Sequence, residues 1–245
     1  MTDTQLHGPA AGIALALSGI ATVLASVIEF APGNLARGDG DNPADSLAYL
    51  NEHGTSYSYS GLALVIGGAL LVVAVVGIYR ITAHMATLAY SATSVFGVLA
   101  GGFLVVAGVM RMQAVGTVPH IQSLNESWGE AAYLAVQMAG TQGLLSAGVM
   151  ALAAWLISLT VLFAMCRLWA PVAFGVFPLI VLLVLATDLI FPTLAESSSS
   201  EILFLAYIAA IAFGMPLCSA ACGIALSLPR ARRVLAGGRL QAERR

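Results

Sequence analysis

Long apolar runs alternate with short polar breaks along this chain, and most of the runs have the length of a membrane crossing. A helix rises 1.5 Å per residue, so about 20 apolar residues span a hydrocarbon core of about 30 Å. Residues 10–30 meet that length and end at Pro32-Gly33. The next runs are 61–79, closed by Arg80, and 86–110, closed by Arg111. The run 131–165 is longer than one crossing needs, about 52 Å if helical throughout. A division near 140–143 leaves an outer lead-in helix and a fourth span over 143–165. Residues 171–189 make a fifth span, and 202–228 a sixth, stopped by Pro229. Pro178 and Pro216 should kink these last two, since each removes a backbone donor and crowds the preceding turn. The pattern predicts an all-α fold: a polytopic transmembrane bundle of six spans forming one membrane domain over 1–245. Short amphipathic helices occupy the outer loops.

Two of those loops carry helix signals. Asn42-Pro43 reads as N-cap and first helical residue, with Asp45 in the first turn and Gly54 as a stop. Ser123-Leu124-Asn125-Glu126 reads as a capping box. Leu124, Trp128, Ala131, Ala135 and Met138 then follow at helical spacing, and Trp128 and Tyr133 suit a membrane interface. Glycines at 97, 101, 102 and 108 in the third span read as a close helix-packing face.

Charge sets the orientation. All ten basic residues are Arg. Arg80, Arg167, Arg230, Arg232, Arg233, Arg239, Arg244 and Arg245 fall on one side of the predicted membrane, and only Arg37 and Arg111 on the other. By the positive-inside rule both termini are cytoplasmic, and 229–245 is a basic cytoplasmic tail. The segment before the first run has no Arg or Lys, so that run reads as a retained span and not a cleaved signal. An all-Arg basic set points to a bacterial protein, and the expected location is the inner membrane.

Composition agrees and excludes other classes. The chain is 59% hydrophobic and 9% charged, with a mean hydropathy of +0.91. So few charges could not cover a soluble fold of this size, whereas a lipid bilayer as partner removes that need. A net charge of −2 offers no basic stripe for nucleic acid. Three cysteines form no disulfide framework, and Cys218 and Cys222, four apart, are too few for a metal. The four histidines lie in loops or at the interface, which gives no axial haem ligand inside a span. No Walker loop, Gly-x-Ser-x-Gly or His-x-x-x-His occurs. Neither a metal nor a cofactor is expected.

Ionisable residues at membrane depth are costly and are functional candidates by default. Glu29, Arg111 and Asp188 are three such residues, all toward the outer ends of their spans. They are expected to form a carboxylate–Arg cluster that binds a ligand or proton or ties helices together, the other reading being three independent interfacial residues with Arg111 snorkelling to the head groups. Gln137, Thr141 and Gln142 are candidates to line a polar pocket, though an interfacial lead-in helix would place them in the head-group layer instead.

The run Asn42-Pro43-Ala44-Asp45-Ser46-Leu47-Ala48-Tyr49-Leu50, followed by a span closed by Ile78-Tyr79-Arg80, resembles a group of small six-span bacterial membrane proteins classed as a domain of unknown function. The resemblance implies the architecture and carries no activity. With no catalytic motif, the expected function is binding or moving a small or lipophilic molecule, or serving as an accessory subunit of a membrane complex, with partner subunits or a homo-oligomer. The alternative is a membrane-embedded enzyme acting on a lipid-soluble substrate, with Glu29 or Asp188 as acid–base group and Arg111 as electrostatic stabiliser.

Overall fold

The computed structural model describes residues 4–29, 43–82, 88–165 and 210–228. These residues are helical almost throughout, with no strand among them. In chain order they form α1 (Thr4–Glu29), α2 (Pro43–Thr82), α3 (Leu88–Leu124), α4 (Glu126–Ala135), a π-helical segment π1 (Val136–Gly143), α5 (Leu144–Met165), a second segment π2 (Ala210–Gly214) and α6 (Met215–Ser227). Four stretches are long and apolar enough to cross a membrane: Pro9–Glu29, Leu50–Thr82, Ser91–Leu124 and Leu144–Met165. A shorter apolar helix covers Ile211–Ser227. The expected span 171–189, Pro178 and the tail 229–245 lie outside the described residues.

One expected boundary survives as a kink and another differs. The outer-loop helix leaves helical geometry at His53 (φ −114°, ψ 21°), beside the expected stop at Gly54, and a second helical stretch follows at once, the two making up the 40 residues of α2, about 60 Å along its path. Gly54 acts there as a spacer: a Cβ on it would run into Val115 of α3. Helix α3 does not end near Arg111; it continues to Leu124 with Pro119 inside it. Both helices therefore outreach a hydrocarbon core of about 30 Å. The cap of α4 also moves. Asn125, not Ser123, is the N-cap, and its side chain accepts from the Ser127 amide. Ser123 Oγ instead donates back to the His120 carbonyl.

Helix pairing follows a seven-residue glycine rhythm. Gly54, Gly61 and Gly68 of α2 meet Val115, Gly108 and Gly101 of α3, in reverse order. At the two glycine–glycine crossings, a Cβ on either residue would strike the carbonyl oxygen of the other. A seven-residue repeat keeps one seam facing the partner and gives left-handed, nearly antiparallel packing. The same rhythm joins α1 to α6, where Gly12 meets Gly223 and Gly19 meets Pro216. Helix α3 runs antiparallel to α4–π1–α5 along their length: Gly129 faces Gln122, Gly140 faces Met110, Gly148 faces Phe103 and Trp155 faces Gly97. Helices α1 and α2 are antiparallel too, with Ser18 Oγ donating to the Gly67 carbonyl at 2.7 Å.

The apolar interior divides in two. The larger core includes Leu15, Leu71, Trp155, Phe163 and Met215, drawn from α1, α2, α5 and α6. The smaller one, Leu47, Leu50, Tyr57, Ala114, Val118 and Tyr133, fills the extension that α2, α3 and α4 build at the Glu29 end. Tyr133, expected at an interface, is buried in it. The stripe Leu124, Trp128, Ala131, Ala135 and Met138 points outward instead.

Candidate polar centre at Arg111

Arg111 lies where the two cores meet and is 1% exposed. It arises from α3, and α2 brings Ser60 and Tyr57 against it because Gly61 lets the two backbones approach beside Arg111 Cβ. Helix α1 ends at this level and supplies Glu29. The guanidinium grips Glu29 with both terminal nitrogens: Nη1 donates to Oε2 at 2.8 Å and Nη2 to Oε1 at 3.2 Å. Nη1 also donates to Ser60 Oγ at 2.6 Å. The Tyr57 ring lies 5.5 Å from Cζ, near enough for a cation–π contact. Its hydroxyl donates onward to Gln137 Oε1 of π1 at 3.3 Å. One connected polar set thus ties α1, α2, α3 and π1 together.

Pairing explains how a guanidinium persists in an apolar bundle. A charge there is tolerated when an opposite charge and hydrogen bonds replace water, and Glu29 with Ser60 supplies both. One donor stays unanswered: Arg111 Nε is buried and has no acceptor. Buried polar atoms are nearly always partnered, so this atom marks the centre chemically. Trp155 Nε1, facing Gly97 in the larger core, is a second such atom, remote in sequence from the ion pair.

Two changes of helical winding flank the centre. On one side π1 runs beside Met110 and Tyr57, carrying Gln137. On the other, π2 lies against the last turn of α1, where Ser26 Oγ donates to the Ala212 carbonyl at 2.8 Å. An unbroken α-ladder would pair that carbonyl with the amide of residue 216, which is Pro216 and has none. Ser26 supplies the missing donor. Proline thus acts in α6 through a change of winding immediately before it, with a neighbouring helix completing the hydrogen bonding. Wide turns of this kind recur at functional sites.

Of the residues expected at the site, Glu29, Arg111 and Gln137 are brought together. Asp188 lies outside the described residues, as do the side chains of Thr141 and Gln142. The sequence reading missed Tyr57 and Ser60. Their only signal was a run of hydroxyl residues, Thr55-Ser56-Tyr57-Ser58-Tyr59-Ser60, opening an apolar span. Among the described residues no group of three His, Cys, Asp or Glu converges as a metal site would require. Cys218 and Cys222 are free buried thiols on α6. Protein-family models, curated proteins and solved structures provide no match to this chain.

Proposed function

We propose that the protein is a six-span integral membrane protein of a bacterial inner membrane, with both termini cytoplasmic, that binds a small lipophilic molecule at the centre around Arg111. The observation that carries this is a fully buried guanidinium with an unfilled donor, set where two helices depart from α-winding. A group serving only to tie helices together needs no spare donor.

Helix directions support six spans. Helix α6 is antiparallel to α1, while α5 runs with α2. Met165 and Ala210 therefore fall at opposite ends of the bundle, which agrees with an odd number of crossings between them. Residues 171–189 are the apolar run long enough to make one. The Arg bias places the Glu29 end outside. The resemblance of the first outer loop to small six-span bacterial proteins agrees with this reading. Glu29 is poorly placed for the enzyme alternative, since both its oxygens already accept from Arg111, and Asp188, the other acid–base candidate, lies outside the described residues.

Native mass spectrometry of the protein extracted from its own membranes tests the proposal. One lipophilic adduct per chain is expected, and Arg111→Ala should lose it. A bare chain, or one carrying stoichiometric partner subunits, would favour the accessory-subunit role instead.

A further inference from the structure

We infer that the open edge of Arg111 receives the carbonyl oxygen of a neutral lipophilic molecule arriving from the bilayer. This rests on the reading of the Arg111 centre as a binding site and specifies what that site takes.

A guanidinium has five N–H donors in a rigid plane. Nη1 spends its two on Glu29 Oε2 and Ser60 Oγ, and Nη2 spends one on Glu29 Oε1. The Nε–H and the outer Nη2–H remain. These two lie side by side on one edge, the edge that accepts a two-lone-pair oxygen or a forked acceptor. The Arg111 side chain is only 2% exposed, so bulk water does not satisfy it. The Tyr57 ring lies over one face of the guanidinium, and an acceptor for the two remaining N–H groups has to lie in the guanidinium plane.

Charge balance decides between acceptors. Glu29 already neutralises Arg111. A phosphate or carboxylate at the free edge would add an uncompensated negative charge to an apolar setting, at high desolvation cost. A carbonyl offers two lone pairs and adds no charge. Depth points to the same chemistry. The apolar stretch of α1 has 21 residues, about 31 Å of helix, so Glu29 and Arg111 sit at the margin of the hydrocarbon. The ester carbonyls of lipids and the head groups of small lipophiles lie at that margin.

The test uses the full chain in nanodiscs of ether-linked phospholipid, which brings no ester carbonyl of its own. Two probes carry a ¹³C-labelled carbonyl: methyl oleate, standing for an acyl ester, and a decyl-benzoquinone, standing for a ring carbonyl. Infrared difference spectra should show a saturable, red-shifted carbonyl band with one of them, and which one identifies the source. Arg111→Lys keeps a cation opposite Glu29 but has no such edge, and the band should vanish. In the wild-type chain, oleyl methyl ether should compete for the site at least about tenfold more weakly than methyl oleate, the scale of one good hydrogen bond. A band equally strong in Arg111→Lys, no shifted band with either probe, or an ether as good as the ester would each overturn the inference. Tighter binding of oleate than of methyl oleate would overturn the neutral acceptor in favour of an anion. In all of these cases a native adduct lost on Arg111→Ala would still stand, so the broader proposal is judged separately.

Discussion

The ion pair of Glu29 with Arg111 is unequal in burial, and that inequality sets what each substitution does. The Glu29 side chain keeps 18% of its surface exposed against 2% for Arg111. Removing Arg111 leaves a carboxylate that can turn toward water. Removing Glu29 leaves a guanidinium that cannot. Glu29→Ala should therefore cost about 3–5 kcal/mol, as expected for a buried charge stripped of its partner. Arg111→Ala should cost less, and the double substitution less than Glu29→Ala alone. Reversible unfolding in mixed micelles measures all three, and simple additivity would show that the pair is not coupled. Tyr57→Phe removes the bond to Gln137 but keeps the ring against Arg111. It should lose about 0.5–1.5 kcal/mol by the same assay, and Tyr57→Leu should lose more.

Helices in this protein meet through glycines, and the neighbours Gly101 and Gly102 separate packing from propensity. A Cβ on Gly101 would press on the Gly68 carbonyl and on Val72, while one on Gly102 meets nothing within 4 Å. Gly101→Ala should destabilise by about 1–3 kcal/mol through overpacking. Gly102→Ala should be neutral or stabilising by up to about 1 kcal/mol, because alanine is the better helix former. Equal effects at the two positions would refute the seven-residue seam. The hinge at π2 can be examined in the same way. Ser26→Ala removes the hydrogen bond to the Ala212 carbonyl and should cost about 1 kcal/mol. In a Pro216→Ala background the restored amide at 216 can answer that carbonyl, so Ser26→Ala should cost less there. An undiminished cost would show that serine and proline act independently.

Across the whole molecule, the helices at the Glu29 end stand well beyond the depth of a bilayer. Helix α2 has 40 residues and α3 has 37, about 60 and 55 Å. With α4 they make a short extension that encloses its own apolar core. Its outward stripe, Trp128 (61% exposed) and Met138 (58%) included, leaves that surface apolar. Reporter fusions check the orientation. Activity expected of an external reporter should appear at residue 40, and that of a cytoplasmic one at residues 85 and 245. An externally active fusion at 245 would exclude six spans.

Apolar length determined the membrane class and the four helices long enough to cross, because crossing a bilayer is a demand on local composition alone. The cost of charge in lipid is equally local, so Glu29 and Arg111 stand out as letters in an apolar text. Their pairing does not, since the two are 82 residues apart and meet only once α1 and α3 have taken a particular rotation and depth. Ser60 and Tyr57 were hidden for the same reason: a hydroxyl becomes a partner only through what the neighbouring helix turns toward it. The seven-residue spacing of Gly54, Gly61 and Gly68 is written in the sequence, yet which helix fills that seam is not. The local stop at Gly54 survives as the break at His53, and what packing decided is that a second helical stretch follows at once against Val115. Winding was settled there too: at π2, Ser26 from α1 answers the Ala212 carbonyl that Pro216 cannot.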